Sequence, residues 1–298
     1  MAAQAVREAL RNAIAEATAT LADAGIDSAR IDAEELAAHL LGVERGLLAF
    51  IDTPGEEFFA RYRELVDARS RRVPLQHLTG TAPFGPLMLH VGPGVFIPRP
   101  ETESLLEWAF KAVARQQLPA KPLVVDLCTG SGALAVSLAR NWPDATVLAI
   151  DDSAAALSYA RRNAHVYAKG SGLRFVEADV TAPALLPELD GRVDLIVANP
   201  PYIPAGAQLD PEVADHDPHH ALFGGPDGMA VVTAIVGLAA RWLRPGGRIA
   251  VEHDDTTSSQ TVELFSATGL FENIEPRHDL AGRPRFVTAT RSADEPGV

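Results

Sequence analysis

The chain has 298 residues, 47% of them hydrophobic, with one cysteine and a net charge of −13. That length suits one large domain plus a small one. No apolar run reaches the roughly 18 residues of a membrane span. A lone cysteine excludes an intramolecular disulfide and a cysteine-rich zinc site, and no HExxH pattern or other metal-binding spacing stands in the sequence. The acidic balance disfavours duplex nucleic acid, whose binding leans on Lys and Arg at phosphates, and favours a protein or small-molecule substrate.

Residues 1–72 read as an all-helical domain. Val6, Leu10, Ile14 and Leu21 follow a helical period through an Ala-rich segment without the apolar core of a signal peptide, so a cytoplasmic protein is expected. Asp27 or Ser28 can cap a second helix that Gly42 stops. A short helix is predicted over Glu44 to Phe50, and a longer one from Glu56 to Arg72. The longer helix turns Phe58, Phe59, Tyr62, Leu65 and Val66 inward and a cluster of Arg61, Arg63, Arg69, Arg71 and Arg72 outward. Residues 73–97 are rich in Pro and Gly between short apolar runs, which predicts a β-hairpin linker.

From residue 98 onwards the pattern changes again. Pro100, Glu101 and Glu103 suit the first turn of a helix that continues through Trp108 and Val113. Strands and helices then alternate from Leu123 to Ala289, which predicts a parallel sheet with helices on both faces. The last two strands lack room for a crossover helix and should pair antiparallel. The domain is thus α/β over 98–298.

Two stretches carry chemistry. The first is Asp126-Leu127-Cys128-Thr129-Gly130-Ser131-Gly132, which joins a strand to its helix. Its glycines allow the backbone to approach a ligand. Asp151 ends the next strand and suits ribose hydroxyls, while Asp179, followed by Val180, ends the third and suits an adenine amino group. The loop lacks GxGxxG and the Lys-Ser/Thr of a P-loop, so a nucleoside without phosphates fits best, which points to S-adenosylmethionine.

The second stretch is Asn199-Pro200-Pro201-Tyr202, directly after the apolar run 193–198. Two prolines force the chain out of the sheet at the edge where α/β proteins bind ligands. Asn199 offers an amide donor and acceptor, Pro200 a carbonyl and Tyr202 a ring. That set suits a flat group bearing NH2: a carboxamide, or the amino group of adenine or cytosine. A capping Asn at a strand end is the plain structural alternative. A long loop, Ile203 to Asp227, follows.

These motifs resemble those of class I S-adenosylmethionine-dependent methyltransferases, with a seven-stranded Rossmann-like sheet. Three further stretches, Gln76–Gly80, Phe96–Glu103 and Ala221–Gly228, resemble the HemK/PrmC family of release factor N5-glutamine methyltransferases. The resemblance implies that methyl passes from S-adenosylmethionine to the glutamine of the Gly-Gly-Gln motif of class I release factors, with no metal, no nucleic-acid partner and a monomeric enzyme. It implies catalytic and substrate roles for Asn199, Pro200, Pro201 and Tyr202 and a recognition role for the helical domain. It implies cofactor contacts at Asp126, Cys128, Thr129, Gly130, Ser131, Gly132, Asp151, Asp179, Val180 and Asn199. Ribosomal-protein glutamine methylation is a close alternative, and N6-adenine or N4-cytosine methylation a more distant one. Cys128 stands where the family usually has glycine, Val180 where some relatives have an aromatic, and Asp217-Pro218 where Glu-Pro is usual. Glu101, Glu103 and Glu252 keep open roles.

Overall fold

The computed structural model describes residues 2–51, 54–114 and 118–293; the side chains of residues 1–7, 113 and 114, and so those of Val6 and Val113, lie outside that description. Two compact units are present: Met1–Thr81 with Leu209–His216, and Ala82–Gln208 with Asp217–Val298.

The first unit is helical. It comprises α1 (Ala2–Asp23), α2 (Ala29–Leu41), a 3-10 turn Arg45–Phe50, α3 (Glu56–Ser70), the short α4 (Leu75–Thr79) and the helical turn Pro211–His216. Leu21, Leu36, Ala33, Tyr62 and Val66 form its core. Gly42 ends α2 in the left-handed region at φ +65°, and its N–H bonds to the His39 carbonyl at 3.1 Å. Ser28 sits at the N-cap position of α2 without a side-chain capping bond.

Arg69 departs from the expected solvent-facing cluster. It is buried, and its guanidinium donates to Asp32 at 2.7 Å and to Glu212 at 2.7 Å. The helical period explains the difference: Tyr62, Val66 and Arg69 share one stripe of α3, and all three are buried. Arg61, Arg63 and Arg71 do face solvent.

The second unit opens with the hairpin β1 (Thr81–Phe84) and β2 (Leu87–His90), followed by α5 (Thr102–Ala114). From Ala82 on, the hairpin belongs to the sheet unit, with Phe84, Leu87 and Leu89 buried in its core. Then come β3 (Leu123–Leu127), α6 (Ala133–Asn141), β4 (Thr146–Asp151), α7 (Ala154–Tyr167), β5 (Gly172–Glu177), β6 (Val193–Ala198), α8 (Ala230–Trp242), β7 (Leu243–Glu252), α9 (Ser258–Ala267), β8 (Phe271–His278) and β9 (Pro284–Arg291). The seven strands run in the order β5-β4-β3-β6-β7-β9-β8. All neighbours pair parallel except β9, which is antiparallel to both β7 and β8.

The side-chain period of two divides the buried strands between two apolar layers. Val124, Leu195 and Val197 pack with α5 and α6, while Val125, Ile196 and Ala198 pack with α8 and α9. β7 begins at Leu243 rather than at Arg248, because Pro245-Gly246-Gly247 continues the strand through a register shift against β6. The stretch expected as one long loop after Tyr202 contains two helical turns, Pro211–His216 and His219–Leu222, and a bridge between Ile203 and Phe223. Among the described residues no helix is long and apolar enough to cross a membrane, and no cluster could hold a metal ion.

Candidate active site

Strand register brings the two chemical stretches together. Leu127 pairs with Ile150 on one side and with Ala198 on the other. The loops that follow these residues therefore start side by side at the C-terminal edge, where the strand order reverses. They open on one cavity of about 280 Å³. Asp126, Cys128 to Ser131, Asp151, Asp179, Val180 and Asn199 to Tyr202 all line it.

Gly132 does not line the cavity. It starts α6 at φ +82°, and a Cβ there would stand 3.1 Å from the Ala160 Cβ on α7, so its role is close helix packing. Gly130, at φ +56°, is the glycine of this loop that lines the cavity, and its N–H donates to Asp151 at 2.8 Å.

Three of the four acids that line the cavity, Asp126, Asp151 and Asp179, are in different states. Asp126 accepts from the Thr129 hydroxyl at 2.6 Å and the Ala135 N–H at 3.0 Å, and so shapes its own loop. Its second oxygen, Oδ1, is buried without a protein partner. Burial pushes the Asp126 carboxyl up to about 7. Burial also raises Asp151, whose oxygens each accept one backbone N–H, from Gly130 and from Ser153. Hydrogen bonds from the Thr181 hydroxyl and N–H hold the exposed Asp179 below the usual carboxylate range.

Among the described lining residues there is no Lys or Arg, so no permanent cation there would neutralise a phosphate. The expected donor, S-adenosylmethionine, fits the residues present. The orphaned Asp126 oxygen is a buried acceptor for a cationic N–H, and each Asp151 oxygen keeps a lone pair for a ribose hydroxyl. A cationic ligand favours ionised Asp126. Donor affinity should therefore weaken as pH falls below about 7, by up to about tenfold per unit, and stay level above it. Calorimetric titration across pH checks this, and Asp126→Asn should flatten the profile.

On the other wall, Asn199 donates from Nδ2 to the Thr102 hydroxyl at 3.1 Å, a bond that does not use its amide oxygen. Tyr202 is not merely a packing ring: its hydroxyl donates to Glu252 at 3.1 Å. Burial is the main reason its hydroxyl holds its proton far above the ordinary tyrosine range. Backbone from the Phe223–Gly228 stretch braces the turn. Gly224 N–H donates to the Ile203 carbonyl at 3.0 Å, and Ala205 N–H to the Gly225 carbonyl at 2.9 Å. Arg99 reaches Asp217 at 2.7 Å and lies over the Phe96 ring, which ties the Pro-Arg-Pro stretch to the end of the loop.

The N-terminal region matches the PrmC N-terminal domain over residues 12–80, and residues 110–216 match the methyltransferase small domain. A release factor glutamine methyltransferase of Mycobacterium tuberculosis (strain CDC 1551 / Oshkosh) is 65% identical over 286 residues, covering 95% of this chain and 91% of the relative. One from Mycolicibacterium smegmatis is 66% identical over 284 residues, covering 95% and 98%. This chain belongs to the release factor glutamine methyltransferase family. In fold, it is similar to the T. thermophilus 16S rRNA N2 methyltransferase RsmC, solved in complex with AdoMet and guanosine, with a TM-score of 0.50 and 24% identity over 71% of this chain and 49% of that one.

Membership of the family gives meaning to Cys128. The residue adopts φ +59°, a left-handed conformation that costs a non-glycine residue about 1–2 kcal/mol. That geometry is why glycine is the usual family residue there. The residue is half-buried, and desolvation, with Asp151 and Asp126 nearby, pushes its thiol up and leaves it a weak nucleophile. Cys128→Gly should keep stability within about 1 kcal/mol and turnover within about threefold, whereas Cys128→Val should lose about 1–2 kcal/mol in denaturant unfolding.

Two contributors to the site escaped the sequence, Thr102 and Gly228, and a third, Glu252, was named there with its role open. Thr102 and Gly228 sit inside stretches that the family resemblance singles out, so their signal was present without a role attached. The signal for Glu252 was a carboxylate closing an otherwise apolar strand, Ile249-Ala250-Val251.

Proposed function

We propose that this protein transfers a methyl group from S-adenosylmethionine to the side-chain amide nitrogen of the glutamine in the Gly-Gly-Gln motif of class I release factors. The observation that carries the reading is the juxtaposition, across one cavity, of a phosphate-free acidic nucleoside site and a stiff turn that presents an amide acceptor. The family relationship over 95% of the chain supports the substrate. When bound, the donor supplies an electrophilic methyl on a sulfonium, whose S–CH3 bond breaks as the N–CH3 bond forms, and one amide proton is lost to solvent.

The protein's own residues do the positioning. An amide nitrogen is a poor nucleophile because its lone pair is delocalised, so in-line approach is the main lever, worth up to roughly 7–11 kcal/mol in favourable cases. Asn199 Oδ1 and the Pro200 carbonyl accept from the substrate NH2 and stabilise positive charge as it develops on nitrogen. Pro200 and Pro201 keep the turn rigid, and the Tyr202 ring sets the plane of the amide. Asp126, Asp151 and Asp179 hold the donor on the opposite side. The helical region 1–72 serves recognition; it has its own core and exposes Ile31, Leu47 and Phe50, apolar side chains suited to a protein partner.

Labelled methyl transfer tests the proposal, with purified release factor, its Gln→Ala variant, ribosomal proteins and DNA in parallel. Label is expected on the release factor alone. Label that persists on the Gln→Ala factor, or that appears on DNA, refutes the assignment.

A further inference from the structure

Behind the turn, away from the cavity, lies a carboxyl that the reaction as described does not use. Glu252 ends β7 and is fully buried. The three residues before it, Ile249, Ala250 and Val251, are core. Burying a carboxyl in such a place costs several kcal/mol unless its surroundings compensate. Here they do so only in part. Oε1 accepts from the Tyr202 hydroxyl at 3.1 Å and the Thr102 hydroxyl lies beside the carboxyl, while Oε2 is left without a hydrogen-bond partner. Glu101 and Arg285 are its charged neighbours. Both hydroxyls it meets belong to the site: Tyr202 is in the turn, and Thr102 is the residue to which Asn199 donates.

The direction of these bonds matters more than their number. An ionised carboxylate is an acceptor only. Facing it, the hydroxyls of Thr102 and Tyr202 must point their hydrogens towards Glu252. The lone pairs of Thr102 then face Asn199, which can approach only with its NH2. Its carbonyl is thereby turned the other way, the orientation needed to accept from a substrate amide.

We propose that Glu252 is a positioning residue for methyl transfer, fixing the hydrogen-bond direction of Thr102 and Tyr202 so that Asn199 presents its amide oxygen to the substrate. This rests on the proposed carboxamide substrate. It also explains why the Glu101-Thr102-Glu103 stretch at the start of α5 accompanies the Asn-Pro-Pro-Tyr turn: Thr102 is the relay between the buried acid and the amide. Burial raises the Glu252 carboxyl to about 7 against the pull of these hydroxyls, so the acceptor-only carboxylate prevails above that pH.

Glu252→Met is the deciding variant. It keeps the length of the side chain but removes both acceptor oxygens, whereas glutamine can set its NH2 at the unpartnered Oε2 position and keep an acceptor at Oε1. Without those oxygens neither hydroxyl has a fixed direction, and Asn199 can turn either way at Thr102. Turnover on release factor should fall by about 30-fold or more, with donor affinity by calorimetry within about twofold and unchanged cooperative unfolding. Thr102→Val should cause a similar loss, and the double variant should be no worse than either single one, since both break the same relay. Thr102→Ser, which keeps the hydroxyl, should recover most of the loss seen with Thr102→Val. A Glu252→Met enzyme turning over within threefold of the wild type, or additive losses in the double variant, overturns the inference. A wild-type enzyme that leaves release factor unlabelled in the same series instead overturns the functional reading beneath it.

Discussion

Replacing Asn199 with alanine is expected to lower turnover on release-factor glutamine by about 10²–10³-fold, the scale seen when one preorganised hydrogen-bonding group is lost from a reacting centre. Donor affinity should stay within about twofold, because the acids that face the donor lie on other loops. The developing charge sets the size of the effect. As the methyl bond forms, the amide nitrogen loses conjugation and becomes positive, so acceptors on its hydrogens gain strength in the transition state. Asn199 Oδ1 is such an acceptor, held by the 3.1 Å bond from Nδ2 to Thr102. Asn199→Asp sharpens the test. It keeps an acceptor but loses the donor to Thr102 and adds a charge to a site that already holds Glu252. It should therefore also be slow, by a loss in kcat rather than in KM for the donor. Normal turnover in Asn199→Ala, with normal donor affinity, would remove the amide clasp from the mechanism.

What the sequence reveals and what it hides follow from the range of the interactions. The sheet was legible because its strands are short apolar runs separated by turn residues, and β6 in particular is buried along all six positions before two prolines stop it. The antiparallel end was legible from chain length alone, since Glu275 to Pro284 leaves no room for a crossover. The insertion of β9 between β7 and β8 was not, because nothing local distinguishes one edge partner from another. The site shows the same division. Glycine spacing and acids at strand ends placed the donor loop, whereas Arg69 looked like one of five surface arginines because its partners, Asp32 and Glu212, are remote in sequence. The role of Glu252 was equally opaque, although its place at a strand end was not. Its partners, Tyr202 and Thr102, lie far along the chain, and only the fold shows that a strand-end acid stands under the turn.

Gly228→Ala should be as damaging as loss of Asn199, though Gly228 touches no reacting atom. It lies at φ +79°, and a Cβ there would stand 2.2 Å from the Tyr202 carbonyl oxygen and 3.1 Å from its carbon. Those are backbone atoms of the turn, so no side-chain rotation relieves the overlap; the turn must move. Gly224 closes the other escape, because its own missing Cβ lets it sit against the Pro201 carbonyl, where a Cβ would meet the oxygen at 2.5 Å. A shift of about 1 Å at the turn is enough to cost roughly 10²-fold in rate, because approach geometry supplies much of the acceleration. Gly206 provides the control. It lies in the same loop at φ +88°, and a Cβ there would meet nothing within 4 Å, so alanine carries only the left-handed backbone cost of about 1–2 kcal/mol. Gly206→Ala should lose stability on that scale and keep turnover within about threefold, while Gly228→Ala loses turnover even in the fraction that remains folded. Equal kinetic effects from the two variants would mean that loop conformation, and not the close approach of Gly228 to Tyr202, holds the turn in place.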